Sequence, residues 1–141
     1  MENGTLIIIR GLPGSGKSTF GKRLTEKVRS ADDFFLVEGK YVFDAKKISL
    51  AHKWCQEKVM GDLSEGFAVV ANTFTQGWEF QPYVEMTKQI IVVDLFDGGM
   101  SDSLLEKRNV HGVSRETIAH MRNRWEADWR NADPRPPWLR K

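Results

Sequence analysis

The chain has 141 residues, 40% of them hydrophobic, which suffices for one packed domain and not for two. Its 21 basic and 19 acidic side chains leave a net charge of +2, so bulk charge does not announce a nucleic-acid binder. A single cysteine, Cys55, excludes an internal disulfide, and His52-x-x-Cys55 has no second pair to complete a zinc site.

Nothing after Met1 reads as a signal peptide, and no apolar run approaches the roughly 20 residues of a membrane span, so a reducing cytoplasm is the expected setting. Residues 1–29 carry six basic and two acidic side chains, 30–100 six and eleven, and 101–141 nine and six. The two positive segments suit polyanionic ligands, although a solvated helix face explains such charges equally well.

In chain order, Thr5–Arg10 is a short continuous run of β-branched apolar residues and predicts a buried parallel strand. Gly11-Leu12-Pro13-Gly14-Ser15-Gly16-Lys17-Ser18 follows, then a helical pattern from about Lys17 to Lys27. Val28–Ala31 reads as a very short second strand ended by Asp32 and Asp33, and Phe34–Phe43 as an aromatic loop turning at Glu38-Gly39-Lys40. The longest helix is predicted from an Asp44 N-cap to Glu65, with Ile48, Ala51, Cys55, Val59 and Leu63 on one face and Gly66 as its stop.

Phe67–Ala71 and Ile90–Phe96 are predicted as further strands of a sheet covered on both faces. Trp78–Lys88 is predicted as a helix, with Pro82 tolerable only near its start. A short helix capped at Ser101 runs to Asn109, and a last helix capped at Ser114 buries Ile118, Met121 and Trp125. Residues 1–130 are then expected to form a single domain, and 131–141, broken by Pro134, Pro136 and Pro137, an extended basic tail. Alternating strands and helices predict an α/β fold with a mostly parallel sheet of four to five strands and helices on both faces. The match of Gly11–Ser18 to the phosphate-loop pattern makes it a three-layer fold of the P-loop NTPase kind, and the arginines on and after the short helix give it an arginine-bearing lid.

The stretch Gly11–Ser18 matches G-x-x-x-x-G-K-[ST] at every fixed position, between a strand and a helix as that motif requires. Glycines there let successive backbone N–H groups curl around a phosphate. Gly11, Leu12, Pro13, Gly14, Ser15, Gly16, Lys17, Ser18 and Thr19 are therefore the expected nucleotide site, for ATP or GTP, with Lys17 on the phosphates and Ser18 on Mg²⁺.

Asp32 ends the strand neighbouring the loop and is the expected general base, leaving Asp33 to hold a loop or a metal-bound water. A structural acid pair that caps the next helix is the alternative. Arg108 is the first choice for a lid guanidinium over the phosphates and Arg115 the second, while Arg122 and Arg124 read as a solvated helix face. Asn72 and Thr73 end the third strand where many phosphate-loop proteins carry an acid for the metal. Phe34, Phe35, Tyr41, Phe43, Phe74 and Trp78 fall in loops at the ligand edge, either to stack on a base or to pack locally. His111 lies in the lid within reach of phosphate, whereas no chemistry is assigned to His52 or His120.

Together these segments resemble the phage-type polynucleotide 5′-hydroxyl kinase family and related small P-loop (AAA-ATPase-like) kinases. The matching pieces are Gly11–Thr19, Ser30–Phe34, Tyr41–Asp44, Ala51–Cys55, Ala71–Thr73, Trp78-Glu79, Pro82-Tyr83 and Lys107–Ser114. The resemblance implies Lys17 and Ser18 on ATP·Mg²⁺, Asp32 activating the acceptor hydroxyl, and Arg108 on the phosphates. It puts Asp33, Phe34, Phe35, Asn72, Thr73 and Arg115 near the substrate, a nucleic-acid 5′ end or a small nucleotide. Two positions depart from it. Phe35 stands near where those kinases hold the acceptor 3′-phosphate with an arginine, and Asn72 stands where they carry an acid. A small-molecule kinase for a nucleoside, nucleotide or sugar, and a non-catalytic ATP-binding regulatory module, are the alternative expectations. Oligomeric state has no signature in the sequence.

Overall fold

The computed structural model describes residues 4–140. Four strands form one sheet: β1 (Thr5–Gly11), β2 (Val28–Arg29), β5 (Phe67–Asn72) and β6 (Gln89–Phe96), in the order β2-β5-β1-β6. Every pairing is parallel, with Thr5 opposite Phe67 and Gln89, and Val28 opposite Val69. Between β2 and β5 in the chain lies a small antiparallel hairpin, β3 (Leu36–Val37) and β4 (Lys40–Tyr41). The helices are α1 (Lys17–Lys22), α2 (Ile48–Ser64), α3 (Gly77–Val84), α4 (Asp102–Arg108) and α5 (Arg115–Asn123).

Alternation along the strands divides the core into two faces. Leu6, Ile8, Ala68 and Val70 pack with Ala51, Cys55, Val59 and Leu63 of α2 and with Phe80 and Tyr83 of α3. Ile9, Val69 and Ala71 face the other way, against Phe20 of α1 and Val28. The predicted stripe of α2 is therefore buried, apart from Ile48 at its first residue, which is 41% exposed. A third cluster of Leu12, Leu105 and Ile118 fastens α4 and α5 beneath the phosphate loop.

Several boundaries differ from the sequence expectation. The first helix ends at Lys22, not Lys27, and turns back through Arg23–Thr25. Gly21 lies against β2: a Cβ there would sit 2.9 Å from Val28 Cγ2, so the missing side chain lets helix and strand approach closely. β2 spans only two residues, and Asp32 and Asp33 belong to a 3-10 turn, Ala31–Phe35, capped by Ser30. The third helix stops at Val84 because Thr87 is already buried, its hydroxyl donating to the Gly4 carbonyl at 2.6 Å, and leads into β6. Pro82 is its sixth residue, beyond the first turn, and the helix ends two residues later.

β6 is an edge strand with intermediate and exposed positions along its length, Ile91 among them, so the sheet is covered on both faces only at β1 and β5. The segment after α5 is extended only in part. Short 3-10 turns at Trp129–Asn131 and Pro137–Leu139 fold it back, and Trp138 meets Trp78 edge to face at 5.2 Å.

Candidate active site

The phosphate loop crosses from β1 to α1 at the carboxyl edge of the sheet, where Gly11 N–H donates to the Thr73 carbonyl and Leu12 N–H to that of Phe96. Gly14 and Gly16 hold φ at 84° and 101°, a left-handed geometry that turns neighbouring N–H groups into a shallow cradle. Gly14 also has a steric reason, because a Cβ would meet the Leu105 carbonyl of α4 at 2.5 Å. Around Gly16 there is open space, as an incoming phosphate requires.

A cleft of about 600 Å³ opens over this loop. Pro13, Gly14, Gly16, Lys17, Ser18 and Thr19 line its floor, Arg108 its lid side, and Asp32, Phe35, Asn72 and Thr73 its far wall. Gly11, Leu12 and Ser15 lie underneath instead. Leu12 is core, and a Cβ on Gly11 would run into the Ser15 hydroxyl, which is itself buried without a hydrogen-bond partner.

Lys17 Nζ donates to the Leu12 carbonyl at 3.1 Å, and burial pushes its pKa down to about 8 against the opposing pull of the Asp32 charge. The ammonium is thus a poorly solvated cation aimed at the floor of the cleft. Arg108 Nε donates to the Gly14 carbonyl at 3.1 Å, which docks the lid helix on the loop.

Asp32 is held from three sides. Its amide donates to the Ser30 hydroxyl that caps the turn, Tyr41 Oη donates to its Oδ1 at 3.2 Å, and His111 Nε2 lies 3.6 Å from its Oδ2. Burial, with Asp32 beside it, raises the Tyr41 hydroxyl to about 12, so it stays a donor throughout the neutral range. Asn72 fixes the same turn from below: its Oδ1 accepts from Ala31 N–H at 2.9 Å and from Ser30 Oγ at 3.2 Å. The side chain that stands in place of an acid is therefore used up in positioning the Asp32 turn.

Asp33, Phe34 and Arg115 are not brought to the cleft. Asp33 is not among the residues that line the cleft, and its pKa is raised by burial and then by Asp32. Phe34 packs edge-on against Phe35 and Trp54 at 5.5 and 5.9 Å. Arg115 is exposed and sits 4.0 Å from Glu106. Arg122 does not belong to a solvated face, whereas Arg124 is exposed as expected. Arg122 pairs with Asp97 at 2.6 Å and Asp102 at 2.9 Å, and Arg124 donates to the Thr75 hydroxyl. Both tie α5 to its neighbours.

The donors fit a nucleotide triphosphate with its metal. The loop cradle and Lys17 suit phosphate oxygens, and the exposed Ser18 hydroxyl offers a hard oxygen ligand for Mg²⁺. Among the described residues no group of three His, Cys, Asp or Glu side chains could hold a metal by itself, so the ion would arrive with the phosphates.

Sequence reasoning missed Arg10, which is completely buried at the end of β1. It donates to the carbonyls of Phe74, Thr75 and Glu126 at 2.8–3.0 Å, meets Asp94 at 3.3 Å and stacks 4.0 Å from the Trp125 ring. The one signal was a cation closing an otherwise apolar strand, which must find partners to be buried. His52 also lines the cleft, although the sequence suggested no chemistry for it.

No family model matches the chain. Human NEDD4-binding protein 2 is 35% identical over 128 residues, which is 82% of this chain but 7% of that protein. Among solved structures, a chain of the Pnkp1/Rnl/Hen1 RNA repair complex superposes with a TM-score of 0.70 at 20% identity over 96% of this chain and 48% of its own. A gluconokinase from Sinorhizobium meliloti 1021 gives 0.59 at 18% over 96% and 79%. At such identities the likeness carries the fold, and the chain has an α/β P-loop NTPase fold.

Proposed function

We propose that this chain is an ATP- and Mg²⁺-dependent kinase that phosphorylates the 5′-hydroxyl of a nucleic-acid end. The observation that carries the reading is Asp32, an oriented carboxylate in the same cleft as the phosphate loop and close enough to Lys17 for their charges to interact. Bound ATP·Mg²⁺, or GTP in its place, would supply the phosphoryl group. Asp32 accepts the proton as the acceptor oxygen bonds to phosphorus, while Lys17 and Arg108 offset the negative charge as the bond to the leaving oxygen breaks. Tyr41 and the Asn72-held turn keep the base aimed. The likeness to a chain from an RNA repair complex supports a nucleic-acid acceptor.

A small-molecule acceptor is the second reading. It is favoured by Phe35, which leaves no lysine or arginine on the far wall, and by the gluconokinase likeness. The test is transfer of labelled γ-phosphate to a 5′-hydroxyl oligonucleotide beside nucleosides and gluconate. Labelled oligonucleotide, absent with Asp32→Asn, is the expected result. Label only on a small acceptor would replace the reading with the second one. ATP binding with no transfer would leave a regulatory nucleotide module.

A further inference from the structure

We infer, resting on the kinase reading, that the acceptor is held by stacking of its terminal nucleobase on the ring wall of Tyr41 and Phe43, and not by an ion pair to a phosphate. The wall is part of the same cleft as Asp32, and the Tyr41 hydroxyl touches that carboxylate. An acceptor with its hydroxyl at Asp32 must lay its body against these rings.

The rings are prepared for a flat partner. Tyr41 ends β4 and Phe43 follows two residues later, and the two rings come together. Their planes lie within 18° of parallel with centroids 6.4 Å apart, and both rest on the buried Phe35 ring, at 6.1 and 5.1 Å. Phe43 remains 52% exposed, an aromatic surface left facing water at the mouth of the cleft. His111, from the loop after α4, closes on Tyr41 at 4.4 Å and narrows the space beside Asp32.

Charge argues the same way. The lysine and arginine of the cleft, Lys17 and Arg108, line its floor and lid, while the acceptor wall continues through Phe35, Ile48 and Ala51. A sugar acid or a phosphorylated metabolite would find no lysine or arginine there, only the imidazoles of His52 and of the His111 already beside Asp32, and a polyol would leave hydroxyls against the apolar carbon of Phe35, Ile48 and Ala51. A nucleobase offers a π face to the rings and is accepted whatever its identity. The wall therefore favours a base-bearing acceptor with little sequence preference.

The experiment compares two 5′-hydroxyl oligonucleotides, identical except that one has a tetrahydrofuran abasic residue at its 5′ end, with ATP and Mg²⁺ and the whole chain. The expected result is a KM at least about tenfold lower for the base-bearing strand, the scale of one base–aromatic stack. Phe43→Ala is expected to collapse that ratio towards one, and Phe43→Trp to preserve it. Equal KM values for the two strands in the unsubstituted protein, or an undiminished ratio in Phe43→Ala, would overturn the inference and leave the kinase reading standing. Transfer to neither strand while ATP still binds would overturn the kinase reading and this inference with it.

Discussion

Replacing Arg10 by Met removes a guanidinium and keeps most of its aliphatic volume. The Phe74 and Glu126 carbonyls lose the side-chain donors that satisfy them, whereas the Thr75 carbonyl keeps the Glu126 amide at 2.8 Å. The buried Phe74 carbonyl left without a partner costs about 1–3 kcal/mol and the half-buried Glu126 carbonyl less, and the stacking on Trp125 at 4.0 Å and Phe80 at 5.2 Å adds about 0.5–2 kcal/mol. Phe74 sits at φ 46°, a conformation that Arg10 helps to pin through its carbonyl. Against these losses stands the relief of a cation whose pKa burial lowers, and Asp94, whose side chain is 35% exposed, can recover water. The net expectation is a destabilisation of about 3 kcal/mol. Urea unfolding followed by far-UV circular dichroism, without nucleotide, measures it. A loss under about 1 kcal/mol would refute the view that Arg10 fastens the 74–75 and 126 segments to the sheet. Arg10→Lys should rescue little, since one ammonium cannot span three carbonyls.

Asp32→Asn is expected to lower phosphoryl transfer by at least about a hundredfold while ATP titrations stay close to those of the unsubstituted protein; retained turnover would remove Asp32 as the base. For Lys17, the folded pKa of about 8 lies below the usual 10.5, so the unfolded chain binds more protons between those values and stability should rise with pH across that window. Lys17→Met should accordingly stabilise the nucleotide-free protein by about 1–3 kcal/mol at pH 7, with the gain fading towards pH 10, while ATP binding is lost; urea midpoints at the two pH values and ATP titration decide. Asn72→Ala leaves the buried Ala31 amide unpaired, so a stability loss of about 1–3 kcal/mol is expected together with a fall in kcat larger than any change in the KM for ATP. Unchanged kcat with lowered stability would make Asn72 purely structural.

The readable parts of this chain were those encoded locally. The phosphate loop declares its own backbone needs, Ser101 and Ser114 cap the helices they precede, and the α2 stripe follows from spacing. The edge position of Asp32 followed from how little chain separates it from the loop. What stayed hidden depends on contacts between distant segments. Gly21 is small because Val28 comes close to it, and the β3–β4 hairpin comes from a stretch that reads as loop. Arg10 looked like the end of an apolar run because its acceptors lie 64 to 116 residues away. Tyr41 and His111 reach Asp32 from separate elements, so no spacing rule joins them. Asn72 looked like a missing acid until its amide was found on Ser30 and Ala31.

The loop after α4 begins where Arg108 grips the Gly14 carbonyl and, three residues on, puts His111 beside Asp32 and Tyr41. One short piece of chain thus touches both the phosphate-loop side and the Asp32 side of the cleft. Two ligands that press on the same segment are thermodynamically linked, and the linkage is reciprocal: by whatever factor a nucleotide alters acceptor affinity, the acceptor alters nucleotide affinity. On the proposed kinase reading, this segment, and not the sheet, is where occupancy of one side of the cleft would be felt at the other.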